Sequence, residues 1–148
     1  MVNEKLNLKL YGRNLDDLKV ISAYLQDSIV SVRDIVFLKR NKTFLMMVNR
    51  FMWEDVEKGV FRKNKRIRSA ITFNNVKKVI SKNINQKNKE RALELLTVKS
   101  FFPADNLYQI QLIFAGDNLI TIFVEIIDVL LDDIGKPYFV KKTPKHTV

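Results

Sequence analysis

The chain has 148 residues, 47% of them hydrophobic and 28% charged, with a net charge of +10 and no cysteine. That length and balance fit one domain around one core, and the missing cysteines exclude disulfides, a thiolate nucleophile and thiolate-held zinc. His146 is the sole histidine, so neither a histidine-rich metal site nor a nucleophile–histidine triad can be assembled from a set of candidates.

Leu6, Leu8 and Leu10 alternate with polar residues and predict a half-buried strand ended by Gly12. Asn14 suits a helix N-cap, with Asp16 and Asp17 favourable in the first turn. Leu18, Ile21, Leu25 and Ile29 then recur at helical spacing, predicting an amphipathic helix over about 15–30. From Val32 the texture becomes that of strands. VRDIVFLK and TFLMMVNRF are two runs joined by a short polar link at 40–42. Trp53, the only tryptophan, follows and leads into a polar loop.

Ile67, Ser69, Ile71 and Phe73 share one face of the next predicted strand, and Arg66, Arg68, Ala70 and Thr72 the other. Asn74-Asn75 marks a turn or bulge. Val76, Val79 and Ile80 resume the apolar pattern before a polar loop at 83–91. LELLTVKSFF, YQIQLIFA and LITIFVE predict three more strands, the last two joined by a hairpin turn at Gly116-Asp117-Asn118. In IIDVLLDDIG, Ile127, Leu131 and Ile134 fall at helical spacing and Gly135 suits a helix end, so a short C-terminal helix is expected. Residues 136–148 lack periodicity, the pattern of a partly disordered tail after a domain at 1–135. No apolar run is long and uninterrupted enough for a membrane span, and the N-terminus carries no signal-peptide core.

One strand, one helix, roughly seven strands and a closing helix predict an α+β domain, mainly antiparallel. Its element order resembles a pleckstrin-homology-like barrel with a C-terminal capping helix and an extra N-terminal strand-helix. Charge is unevenly spread. Residues 58–91 hold twelve Lys or Arg against one acid, whereas 92–135 come to −6. Lysine, asparagine and isoleucine dominate, as AT-rich coding sequences dictate, so basic charge alone is weak evidence for a nucleic-acid partner.

Several separated segments carry a family resemblance: LKLYGRNLDDLKVISAYLQDSIV at 8–30, NRFMWE at 49–54, RIRSAITFNNVKKV at 66–79, FAGDNLITIFVEIIDVLLDDIG at 114–135 and PKH at 144–146. In this order they resemble an uncharacterised bacterial family, domain of unknown function 2948. The resemblance implies a compact cytoplasmic protein and supplies no catalytic residues. The lysine-rich 82–89 loop departs from the family pattern.

No phosphate-loop or dinucleotide motif occurs. Asp16-Asp17 and Asp132-Asp133 are adjacent, but helical neighbours point apart. The chain is therefore expected to be non-enzymatic, with no cofactor and no metal. The candidate binding surface comprises Arg66, Arg68, Arg50, Trp53 and Glu54. Arg66 and Arg68, roughly 7 Å apart on one strand face, suit a phosphate or carboxylate. Trp53 also reads as a core anchor, and Arg50 as a structural ion pair with a nearby acid. The expected role is to bind a protein or peptide or to self-associate. The alternative is a nucleic-acid or anionic-lipid surface centred on Arg66 and Arg68.

Overall fold

The computed structural model describes residues 7–54 and 65–139. Strand β1 (Lys9–Gly12) precedes helix α1 (Leu15–Leu25). The helix is capped as its sequence dictates. Asp17 N donates to Asn14 Oδ1 at 2.8 Å, and Arg13 N donates back to Asp17 Oδ2 at 2.9 Å. The helix stops before its predicted end because Asp27 turns left-handed (φ 65°) and its N–H bonds Leu95 O. Ser28–Ser31 then extends as β2, a conformation that suits the β-branched Ile29 and Val30.

The remaining strands are β3 (Ile35–Leu38), β4 (Thr43–Phe51), β5 (Lys65–Phe73), β6 (Val76–Lys82), β7 (Ala92–Ala104), β8 (Leu107–Phe114), β9 (Asn118–Val124), β10 (Val129–Asp133) and β11 (Tyr138–Phe139). The predicted strands before β10 all form. The two asparagines of the predicted turn separate β5 from β6, with Asn75 left-handed at φ 59°. Gly116 takes φ 83° in the β8–β9 hairpin.

Every strand pair is antiparallel, in the order β1–β10–β5–β4–β2–β7–β8–β9–β6, with β3 added to β4 and β11 to β5. The domain is thus mainly antiparallel β with one helix among the described residues. Two expectations need correction. The sheet is open, running from β1 to β6, and is not a closed barrel. The predicted capping helix is strand β10, inserted between β1 and β5. Val129, Leu131 and Asp133 point inward, a strand alternation disguised because its third inward residue is a carboxylate. The N-terminal strand is integral: β1 pairs along β10, and Gly12 approaches α1 so closely that a Cβ there would sit 2.9 Å from Ile21 Cδ1.

Leu18, Ile21 and Leu25 of α1 join inward residues from β2, β4, β5 and β6–β10 in one apolar core. Helix and sheet are also tied by a polar contact, Val98 N donating to Ser22 Oγ at 2.9 Å. Beyond β10, Tyr138 and Phe139 of the predicted tail pair with Arg66 and Lys65; residues 140–148, including His146, lie outside the described residues. No helix among the described residues is long and apolar enough to cross a membrane.

Candidate functional site

The predicted surface residues fall into two groups. Arg50 follows Phe44, Met46 and Val48 on the core face of β4 and is fully buried. Facing it, β5 and β10 bring Ser69 and Asp133 opposite each other in register. All five guanidinium N–H groups of Arg50 are engaged. Nε donates to Asp133 Oδ1 at 3.1 Å, and Nη2 to Asp133 Oδ2 and Glu54 Oε2, both at 2.8 Å. Nη1 donates to Glu54 Oε1 at 2.9 Å and to Phe51 O at 3.3 Å. Asp133 is completed by Ser69 Oγ at 2.5 Å and Leu8 N at 3.1 Å. Burial alone pulls the Arg50 pKa down, but the hydrogen bonds and charges of Glu54 and Asp133 outweigh it and hold the pKa above its ordinary value. This is a saturated buried ion network, with no donor left for a ligand.

Trp53 packs edge-on to Phe51, ring centroids 4.6 Å apart, and its Nε1 donates to Gln26 O at 2.7 Å. Trp53→Phe keeps the ring packing but strips that carbonyl of its donor, so a stability loss of about 1–3 kcal/mol is expected in urea unfolding followed by circular dichroism. Trp53 also lines an open groove of about 410 Å3 with Lys19, Val20, Ala23 and Tyr24 of α1. That groove presents a helix flank and offers no free strand edge.

Arg66 and Arg68 lie on the outward face of β5, as their alternation predicts. The Nη1 group of Arg66 donates to Asp27 O and Asn49 O, each at 3.0 Å, and the guanidinium lies 5.7 Å from the Phe51 ring centroid. Burial lowers its pKa. Arg68 pairs with Asp34 at 3.1 Å. Each arginine bonds its own neighbours, and no acceptor is shared between the two among the described residues.

A different place has the geometry of a binding site. Strand β3 pairs only with β4, and β6 only with β9, so each presents a free edge among the described residues. Between them lies a cavity of about 230 Å3. Val32, Ile35, Phe37 and Phe44 line one side; Val79, Ile84 and Ile120 line the other; Ser81, Gln86 and Lys89 supply polar groups. Backbone hydrogen bonds clamp both ends. Val76 N donates to Lys42 O at 2.8 Å, while Val32 N donates to Arg91 O at 2.9 Å and Arg33 N to Lys89 O at 3.1 Å. The 83–91 segment is itself tied down, with Asn83 Nδ2 on Asp117 O at 2.8 Å and Arg91 Nη1 on Asn83 O at 3.1 Å.

Lys89 lines this cleft, and other basic residues lie on the elements that form it: Lys39, Arg40 and Lys42 after β3, Lys77, Lys78 and Lys82 on β6, and Lys87 and Arg91 in the 83–91 segment. Two neighbouring acids are already occupied, Glu125 with Lys42 and Lys77, and Glu90 with Arg33. The cavity is smaller than the roughly 300–1,000 Å3 of sites that enclose a whole small molecule. It exceeds the ~150 Å3 that holds a benzene ring, which suits one or two inserted apolar side chains. Sequence reasoning missed the cleft. Its one local signal was the lysine-rich 82–89 stretch, read there as a departure from pattern.

The model of the family described as "Protein of unknown function (DUF2948)" matches residues 8–146. No curated protein and no solved structure matches the chain.

Proposed function

The chain belongs to the DUF2948 family, and we propose that it acts as a non-enzymatic interaction module that holds a segment of a protein partner in the cleft between β3 and β6. The observation carrying this proposal is the pair of strand edges, each with one partner strand among the described residues, that flank an apolar cavity. Exposed strand edges invite pairing with another chain unless something blocks them, and extended peptides exploit such edges with alternate side chains in pockets. The clamps at both ends favour binding further, since a preformed cleft needs little ordering on association.

An anion held by Arg66 and Arg68 draws less support. Two carbonyls already accept from Arg66 Nη1, and the Asp34 carboxylate already pairs with Arg68, so a phosphate there would compete with a resident anion. Self-association through the cleft is also disfavoured, because the second copy carries the same net charge of +10.

The test is selection of a displayed random-peptide library on the full chain, followed by affinity measurement with Ser81→Trp. This substitution on an exposed edge position fills the cleft and leaves the core alone. Enriched peptides are expected to lose about tenfold or more in affinity, while the unfolding midpoint stays unchanged. Failure to enrich any peptide, or enriched peptides indifferent to Ser81→Trp, would refute the proposal.

A further inference from the structure

We infer that the cleft's occupant is an extended acidic peptide that adds to the free edge of β6, with acidic residues four apart and apolar residues between them. The inference rests on the binding-module proposal and specifies its partner. It follows from the alternation of β6. Val79 and Ser81 point into the cleft, whereas Lys78, Ile80 and Lys82 are exposed on the opposite face. A strand laid along β6 shares this pleat, so its side chains alternate in the same sense. Those lying beside Val79 and Ser81 enter the apolar cavity. Those lying beside Lys78 and Lys82 stand on the outer face, about 13 Å from each other at four strand rises.

The partner's pattern is therefore acidic–apolar–any–apolar–acidic. Lys78 is held 4.8 Å from the Phe123 ring centroid, which fixes it on that face. The surrounding lysines and arginines extend the positive field beyond the two pairing positions. Lysines on an edge strand ordinarily repel unwanted strands. Here the same charges exclude neutral and basic strands and admit an acidic one, so specificity and protection share a cause. A nucleic acid, the other common acidic polymer, has no apolar side chains to place in the cavity.

Two synthetic peptides test this. Both have a valine-threonine-valine core; one is flanked by glutamates and the other by lysines. The glutamate peptide is expected to bind the full chain and weaken about tenfold from low to high salt. The lysine peptide is expected to fail. Lys78→Glu/Lys82→Glu, confined to the exposed face, should reverse this preference, with each pair contributing about twofold to fivefold. A merely structural role for the lysines would lose one peptide without gaining the other. N-methylation of alternate peptide nitrogens should abolish binding in one phase and spare it in the other, because only alternate N–H groups face β6.

Binding indifferent to flanking charge, or equally tolerant of both methylation phases, would overturn the inference while leaving the module proposal standing. Failure of every selected and synthetic peptide would overturn both. A single-stranded oligonucleotide that displaces the glutamate peptide and is lost in the double variant would assign the cleft to nucleic acid instead.

Discussion

Arg50→Met is expected to cost about 3–5 kcal/mol of unfolding free energy, because it leaves a buried carboxylate without its cation. Methionine fills similar space and has comparable helix-independent flexibility, so the loss reports charge and hydrogen bonding more than volume. Asp133 would keep Ser69 and Leu8 N as donors but lose both contacts from Arg50. Glu54 is only partly buried and can turn to water, so Asp133 bears most of the penalty. Urea unfolding monitored by circular dichroism gives the value. Adding Asp133→Leu and Glu54→Gln to Arg50→Met should recover most of the loss, since an apolar replacement of a complete buried ion network is often neutral or stabilising. A single variant within about 1 kcal/mol of the parent would show that the network contributes little. The raised pKa keeps Arg50 charged beyond its ordinary titration range, and the unfolded chain's arginine is charged near neutrality too, so its own ionisation adds no pH dependence to stability there.

That network also marks where sequence reasoning succeeds and where it fails. Alternation in β4 and β5 is legible because apolar residues occupy the inward positions up to Val48 and from Ile67 to Phe73, with only the small Ser69 intervening. A structural ion pair for Arg50 was foreseeable in kind, but its partner was not. Asp133 lies 83 residues away, and adjacent acids at 132–133 look solvent-facing in any local pattern. Reading Asp133 outward leaves Ile127, Leu131 and Ile134 as the apolar set, which has helical spacing. Reading it inward restores the strand Val129, Leu131, Asp133. Only the burial of Arg50 decides between them.

The cleft was illegible for a different reason. A free strand edge is a property of the whole topology, since it depends on which strands fail to meet. β3 has just four residues, and its neighbour across the cavity begins about forty positions later at Val76. No periodicity records that separation. The lysines of β6 and the 83–91 segment are present in the sequence, but composition alone gave no reason to separate them from default surface charge. Only the fold shows that these lysines lie on β6 and on the segment that closes the cleft, with Lys89 in its wall.

Phe73→Ala should be the second largest loss, about 3–5 kcal/mol in urea unfolding. Phe73 is fully buried and sits opposite both Phe44 on β4 and Val129 on β10. Its ring meets that of Phe44 at 60°, with centroids 6.0 Å apart, an edge-to-face arrangement that adds to area burial. Removing it opens a cavity under three strands that cannot collapse together. Phe73→Leu should cost only about 1–1.5 kcal/mol, because most of the volume remains. Since Phe44 also lines the cleft, Phe73→Ala loosens the cleft wall from behind without touching β6. Folded Phe73→Ala protein is therefore expected to bind the glutamate peptide only a few-fold more weakly, whereas Ser81→Trp is expected to weaken binding about tenfold or more at full stability. A Phe73→Ala loss below about 1 kcal/mol would contradict the packing of β4, β5 and β10. A large loss together with nearly intact binding would place stability in the three-strand core and recognition on the β6 edge, two functions that can be mutated independently.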